Sequence, residues 1–258
     1  MKIVGIVQAR IGSSRLPGKV LVDLAGKTML ERVVERVKKV EQLDSIIIAT
    51  TTDSTDDPIA VEAERINVEA FRGHPTDVLD RYYSAVQAHN ADAVLRITAD
   101  CPLLDPDIAN QVIEKFLETN TDYCSNIRPP TFPDGLDVEL ISKQALETCW
   151  QDAKLDSDRE HVTTYIRRTQ PDLFEKANVE NAIDYSGMRW TIDEPQDLDF
   201  IQALLPELET ERKTDTSFKR VLEVLRDRPE IANLNSSITR NEGWRNSLAT
   251  DGQREPSD

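Results

Sequence analysis

Arg10, Arg15 and Lys19 place three positive charges within ten residues of the stretch Gln8-Ala9-Arg10-Ile11-Gly12-Ser13-Ser14-Arg15-Leu16-Pro17-Gly18-Lys19. Two glycines let a backbone approach an anion closely, and two hydroxyls with several N–H groups can donate to phosphate oxygens. The stretch reads as a phosphate cradle. Residues 1–27 hold five Lys or Arg and one acid, a local excess of +4 in a chain whose formal net charge is −16. Such focusing suits a small anionic ligand. It is not a Walker A loop, because Gly12 and Gly18 stand one residue too far apart and Val20 follows Lys19. No G-x-G-x-x-G dinucleotide fingerprint is present either, and the alternative is a solvated basic loop.

Two carboxylates could work opposite this cradle. Strand periodicity along Ala93–Asp100 puts Arg96, Thr98 and Asp100 on one face, so Asp100 falls at a strand's carboxyl end, where open parallel sheets bind ligands. In Met188–Asp193 the same parity groups Arg189, Thr191 and Asp193. Two such aspartates facing a triphosphate are the minimum apparatus for Mg²⁺-assisted phosphoryl or nucleotidyl transfer. Each alone could be a helix N-cap before Pro102 or Pro195. Asp137 and Glu139 share one face of the alternating run Leu136–Leu140 and could accept from acceptor hydroxyls, or could line a solvated sheet face. His161, read as opening a helix with Val162, Tyr165 and Ile166, could touch an acceptor or merely pack. Cys101 reads as a small buried residue, since Asp100 beside it opposes a thiolate. The D-x-D pairs at Asp105/Asp107, Asp156/Asp158 and Asp197/Asp199 are weak signals in so acidic a chain, each at a helix start or surface.

These residues need a sheet to hold them. Apolar runs at Ile3–Val7, Ser45–Thr50 and Ala93–Thr98 alternate with helical patterns, the signature of a mostly parallel α/β sheet. Thr28 with Glu31 marks the first helix, and Asp57-Pro58, Asp105-Pro106 and Glu194-Pro195 mark further starts, the last leading into a helix over Asp197–Leu205. Proline and glycine punctuation from Tyr123 to Asp137 marks an inserted acceptor-binding subregion of about 123–170. The periodicity divides the chain into a main domain over 1–208, a C-terminal helical extension over 209–247 and a tail over 248–258 expected to be disordered.

At 258 residues, 39% hydrophobic and 30% charged, the chain affords a sizeable core. It has no bilayer-length apolar run and no basic, apolar leader. Three scattered cysteines indicate neither a disulfide framework nor a zinc site, and the reading is of a cytoplasmic protein. A pI near 4.7 argues against nucleic-acid binding, and no membrane partner is expected.

In order along the chain stand A-R-I-G-S-S-R-L-P-G-K (9–19), F-R-G-H-P-T-D-V-L-D-R-Y-Y (71–83), R-I-T-A-D-C-P-L (96–103), D-G-L-D-V-E (134–139), R-E-H-V (159–162) and T-I-D-E-P (191–195). This set resembles the SpsF-like cytidylyltransferase family, related more distantly to the synthetases that activate 3-deoxy-octulosonate and sialic acids. Ala99 stands where glycine is common in that pattern, and Gln196 where an acid is common. The resemblance implies a Rossmann-like nucleotide-diphospho-sugar transferase fold, with a mixed, mostly parallel sheet in an α/β/α sandwich. It also implies transfer of CMP from CTP to a sugar or sugar-acid acceptor, with pyrophosphate release and Mg²⁺ as cofactor, in surface polysaccharide or glycan biosynthesis. Ala9 and its neighbours would hold the base, and Arg10, Ser13, Arg15 and Lys19 the triphosphate, with Gln8, Gly12 and Thr98 completing the nucleotide site. Asp100 and Asp193 would bind the metal. Arg15 and Lys19 would neutralise the departing pyrophosphate, while Arg96, Asp137, Glu139 and His161 would face the acceptor. A homodimer is compatible with this reading. The alternatives are a glycosyltransferase of related fold, which would need less cationic grip on its donor, and a non-enzymatic nucleotide sensor.

Overall fold

Ile3–Gln8, buried almost throughout, forms the central strand β1 of a seven-stranded sheet in this computed structural model. The structure describes residues 1–13, 15–210, 213–240, 244–245, 248–249 and 251–252. The other strands are β2 (Ser45–Thr51), β3 (Glu69–Gly73), β4 (Ala93–Thr98), β5 (Tyr123–Ser125), β6 (Glu139–Ser142) and β7 (Lys176–Asn178), in the order β3-β2-β1-β4-β6-β5-β7. All pairings are parallel except those that β6 makes with β4 and β5. The chain therefore winds outward from β1 through β2 and β3, then returns to lay β4 on the other side of β1. That reversal opens a crevice at the carboxyl ends of β1 and β4.

Both sheet faces are covered, which is why the strands read as continuous apolar runs. Ile3, Val7, Leu95 and Ile97 point into one core with Met29, Val33, Ile59, Ile113 and Phe200. Val4, Ile6, Ala49 and Val94 point into the other with Leu79, Tyr82, Val86 and Leu146. The first layer is built from α1 (Met29–Val37), α2 (Asp57–Arg65), α4 (Pro106–Thr119), α7 (Pro195–Leu208) and α8 (Phe218–Asp227), and the second from α3 (Val78–Ala88) and α5 (Lys143–Asp152). The result is an α/β/α sandwich.

Three local expectations are corrected. Met188–Ile192 joins no sheet and contributes only an isolated bridge between Asp134 and Arg189. The strand expected from Leu136 starts at Glu139 and is sandwiched between β4 and β5, so Glu139 is 2% exposed rather than on a solvated face. His161 ends helix α6 (Asp156–His161) instead of opening one, because Val162 takes φ +59°. A β-branched residue rarely adopts that conformation. Helix α7 also runs longer than expected, Pro195–Leu208, with Glu194 as its cap. In the tail, Leu248 is buried and Asp251 accepts from the Ser157 backbone. Thr250 and residues 253–258 lie outside the described residues.

Candidate active site

The basic loop leaves β1 at the crevice and is pinned there. Ile11 N–H donates to Asp56 Oδ1 at 2.7 Å, Asp56 accepts from the Thr51 hydroxyl on β2, and Gly18 N–H returns to the Ile11 carbonyl at 3.0 Å. Gly18 has φ +73°, a left-handed turn that directs the chain into Lys19–Leu21. Asp56, missed in the sequence, is thus the loop's anchor; its one signal was its place before the Asp57-Pro58 start. Gln8 and Thr98 sit opposite each other in the β1–β4 register, and Ala9 N–H bonds to Ala49 O at 3.0 Å. Arg10 is half exposed and lies 4.0 Å from Glu160. Gly12 and Ser13 lie in the loop itself, with Ser13 Oγ accepting weakly from Leu16 N–H at 3.4 Å.

Lys19 is the meeting point. Its Nζ is 2.9 Å from Asp100 Oδ2, 2.6 Å from Asp193 Oδ1 and 2.8 Å from the Ile192 carbonyl, with the residue 8% exposed. Residues separated by more than 170 positions converge because Asp100 leaves the end of β4 while Ile192 N–H bonds to the Asp100 carbonyl at 2.9 Å. Burial alone would lower the Lys19 pKa, but Asp100 and Asp193 outweigh it and raise it, so the ammonium stays charged. Burial likewise works against ionised Asp100, yet Lys19 and the Thr98 hydroxyl bring its pKa down to about 2. Neither aspartate is a helix cap, since Glu194 caps α7 and no helix opens after Asp100. Arg15 completes this corner, 3.2 Å from both Asp193 and Glu194.

The second carboxylate is held from behind by Arg189, whose guanidinium reaches Asp134 (2.8 Å), Asp193 (3.2 Å) and Asp197 (2.9 Å). Asp197 also accepts from the backbone of Asp193 and Glu194. Gly135, φ +103°, lets the chain pass this segment, where a Cβ would stand 2.5 Å from Thr191 N. Arg189 was only a parity partner in the sequence; its three-acid clamp needed the fold to be seen.

The remaining candidates form a second cluster. Arg96 and Glu139 are cross-strand partners, Nη1 to Oε1 at 2.6 Å, and Glu139 also accepts from Tyr123 and lies 3.7 Å from Arg167 Nε. Asp137 pairs with Arg240 at 2.5 Å. His161 lies 3.8 Å from Glu160, and burial, joined by the charges of Arg96 and Arg167, outweighs that carboxylate and lowers its pKa to about 4, so it is neutral at pH 7. The clusters adjoin: burial and then the charge of Asp137 raise the pKa of Asp134, and Glu160 stands between Arg10 and His161. Arg167 and Arg240 carried no signal in the sequence.

Two hard carboxylate oxygens sharing one small cation suit Mg²⁺, which typically takes one or two protein carboxylates and fills its sphere with phosphate and water. Among the described residues no three His, Cys, Asp or Glu converge as a closed metal cage. The D-x-D pairs are structural, with Asp105 capping α4, Asp197 clamping Arg189 and Asp158 accepting from Thr169. Cys101 is buried and its pKa is driven well up by burial and Asp100. No helix is long and apolar enough to cross a membrane.

A basic loop and paired carboxylates at the switch point of this α/β sandwich are the arrangement expected of a nucleotidyltransferase. Residues 4–226 match the cytidylyltransferase family model. An uncharacterized protein of Methanocaldococcus jannaschii is 37% identical over 92% of this chain and 96% of its own length. The spore coat polysaccharide biosynthesis protein SpsF of Bacillus subtilis is 31% identical over 89% and 96%, respectively. A solved cytidylyltransferase from Leptospira borgpetersenii superposes with a TM-score of 0.86 at 29% identity, covering 93% of this chain and all of that one. The chain belongs to the cytidylyltransferase family.

Proposed function

We propose that this protein transfers CMP from CTP to a sugar or sugar-acid acceptor, in the service of surface polysaccharide or glycan synthesis, as the name of its Bacillus relative suggests. The observation that carries the reading is the single cation, Lys19, shared by Asp100 and Asp193 at the mouth of the 9–19 loop. The triphosphate would lie along that loop, gripped by Arg10, Ser13 and Arg15 and by backbone N–H groups, with Gln8, Ala9, Gly12 and Thr98 lining the nucleoside side. Asp100 and Asp193 would hold Mg²⁺, which when bound supplies Lewis-acid polarisation of the phosphate oxygens.

The acceptor's oxygen forms the new bond to the α-phosphorus as the α–β bridge breaks and pyrophosphate leaves. Lys19 and Arg15 neutralise charge on the leaving group, and the burial of Lys19 among fixed partners strengthens its contact. Arg96, Asp137, Glu139 and His161 orient the acceptor, so the rate rests on positioning and electrostatics without a protein nucleophile. Pyrophosphate release across four nucleoside triphosphates and a panel of keto-sugar acids, sugar phosphates and phosphonates is the test. CTP-dependent release with one acceptor class is expected, and CTP-independent release or none across the panel would overturn it.

A further inference from the structure

Two motifs of the sequence, F-R-G-H-P-T-D-V-L-D-R-Y-Y (71–83) and R-E-H-V (159–162), meet through one ion pair. Arg159 Nε and Nη2 donate to Asp77 Oδ2 at 2.8 and 2.5 Å, and Nη1 donates to the Trp150 carbonyl at 2.7 Å, so every guanidinium nitrogen is engaged. The platform beneath is held in turn. Trp150 stacks on Tyr83 with ring centroids 4.2 Å apart and donates from Nε1 to Asp80 Oδ1 at 2.9 Å, fastening α5 to α3. The other oxygen of Asp77 caps α3, accepting from Asp80 N–H at 2.9 Å.

Asp77 closes a turn that stands beside the 9–19 loop. Arg81 is fully buried, and its Nη2 donates to the carbonyls of His74 at 2.7 Å and Pro75 at 3.0 Å. Gly73 leads into the turn without a side chain, because a Cβ there would stand 2.8 Å from Arg81 Cγ. Burial foremost lowers the Arg81 pKa; Arg10 adds to the effect, while Tyr82, Asp56 and Asp77 oppose it. The guanidinium thus feels the turn, the 9–19 loop and that loop's anchor together.

Helix α6, on the other side of the pair, cannot hold its own geometry, since six residues are far below the length that is stable alone. Leu155 at its N-terminus offers no side-chain cap, and Asp251 supplies one from the tail by accepting from Ser157 N–H at 3.1 Å. At its other end Thr163 N–H donates to the His161 carbonyl at 2.5 Å around Val162, whose φ of +59° and ψ of −54° make the rare, strained form of γ-turn. Such strain persists only where the surroundings over-determine it. Between these ends Arg159 ties α6 to the 74–77 turn, and Glu160 beside it lies 4.0 Å from Arg10.

Building on the CMP-transfer reading, we propose that Arg159 and Asp77 are positioning residues for the transfer: their ion pair fixes α6 against the 74–77 turn and so sets His161 and Glu160 relative to the 9–19 loop. With the pair broken, α6 shifts and the turn at Val162 relaxes, which displaces His161. The 74–77 turn stays held by Arg81, and the groups that grip CTP stay where they are.

The test is pyrophosphate release by the full chain with CTP, Mg²⁺ and the keto-sugar acid, sugar phosphate or phosphonate that wild type uses. Asp77→Asn keeps an oxygen to cap α3 but turns an NH2 group toward Arg159, so it breaks the pair alone. Arg159→Met breaks it from the other side. Each should lower kcat by about tenfold or more, while the calorimetric Kd for CTP stays within about twofold. The double variant should fall no further than the worse single one, because both remove one contact. Arg159→Lys, which keeps the charge but cannot span Asp77 and the Trp150 carbonyl together, should recover part of the loss, and it replaces the methionine variant if that does not fold. A kcat in Asp77→Asn within about twofold of wild type, or losses that multiply in the double variant, would overturn the inference. So would a CTP affinity that falls as far as kcat, which would place Asp77 in the nucleotide site itself. If wild type transfers CMP to no acceptor, the CMP-transfer reading fails instead, and hydrogen exchange decides the tie by itself. Amides of residues 156–163 should then exchange about tenfold faster or more in Asp77→Asn while those of Ile3–Gln8 are unchanged, and equal exchange at 156–163 would refute it.

Discussion

Replacing Lys19 by Met removes the one cation that Asp100 and Asp193 share and leaves two carboxylates facing each other within a partly buried corner. Holding Asp100 at about 2 in place of 3.8 corresponds to about 2 kcal/mol at neutral pH. Stranding the partners of a buried ion pair takes such losses toward about 3–5 kcal/mol. Urea denaturation of Lys19→Met without divalent ions should therefore show a loss of about 2–5 kcal/mol at pH 7. The sign with pH follows from the direction of the Asp100 shift. A carboxylate whose pKa is depressed on folding contributes stability that is complete above 3.8 and is lost as pH falls through about 2, so the gap between wild type and variant should narrow over that window. Mg²⁺ should restore more stability to the variant than to wild type, because only the variant leaves the two carboxylates without the cation they share. A loss that does not change with pH, or no Mg²⁺ rescue, would refute the shared-cation account.

Asp100→Asn and Asp193→Asn keep side-chain shape while each removes a charge, so each should abolish most turnover with little loss of helical circular dichroism. Arg189→Met strands Asp134, Asp193 and Asp197 together and should cost about 3–5 kcal/mol in urea denaturation, far more than a surface arginine. Asp56→Ala frees Ile11 N–H and the Thr51 hydroxyl. It should weaken calorimetric CTP affinity by about tenfold, through a looser loop, with the Kd for acceptor unchanged.

Strands β1, β2 and β4 were legible because parallel strands buried on both faces read as uninterrupted apolar runs, and Asp100 followed from its place at the end of one. Asp193 was read from the strand parity of a segment that joins no sheet, so its meeting with Asp100 on Lys19 needed the fold to be seen. Arg189, Arg167 and Arg240 were not legible, because a guanidinium's role is set by which distant carboxylates the fold brings to it. Local pattern also misled where tertiary packing overrode it. Alternation at 188–192 arises from an extended segment clamped by Arg189 and Gly135, and alternation at 136–140 hides the fact that Glu139 is buried between strands. The reversal at Val162, invisible in a helical apolar pattern, moved His161 from the start of a helix to the end of one.

Calorimetric titration of CTP, UTP, ATP and GTP, each with and without Mg²⁺, into wild type and Asp100→Asn separates base choice from metal binding at the Asp100–Asp193 corner. CTP should bind at least about tenfold more tightly than the others, Mg²⁺ should strengthen that binding, and Asp100→Asn should remove the Mg²⁺ effect while leaving a weaker, metal-independent grip from the 9–19 loop. Equal affinity for all four nucleotides, or a Mg²⁺ effect undiminished in Asp100→Asn, would contradict this reading.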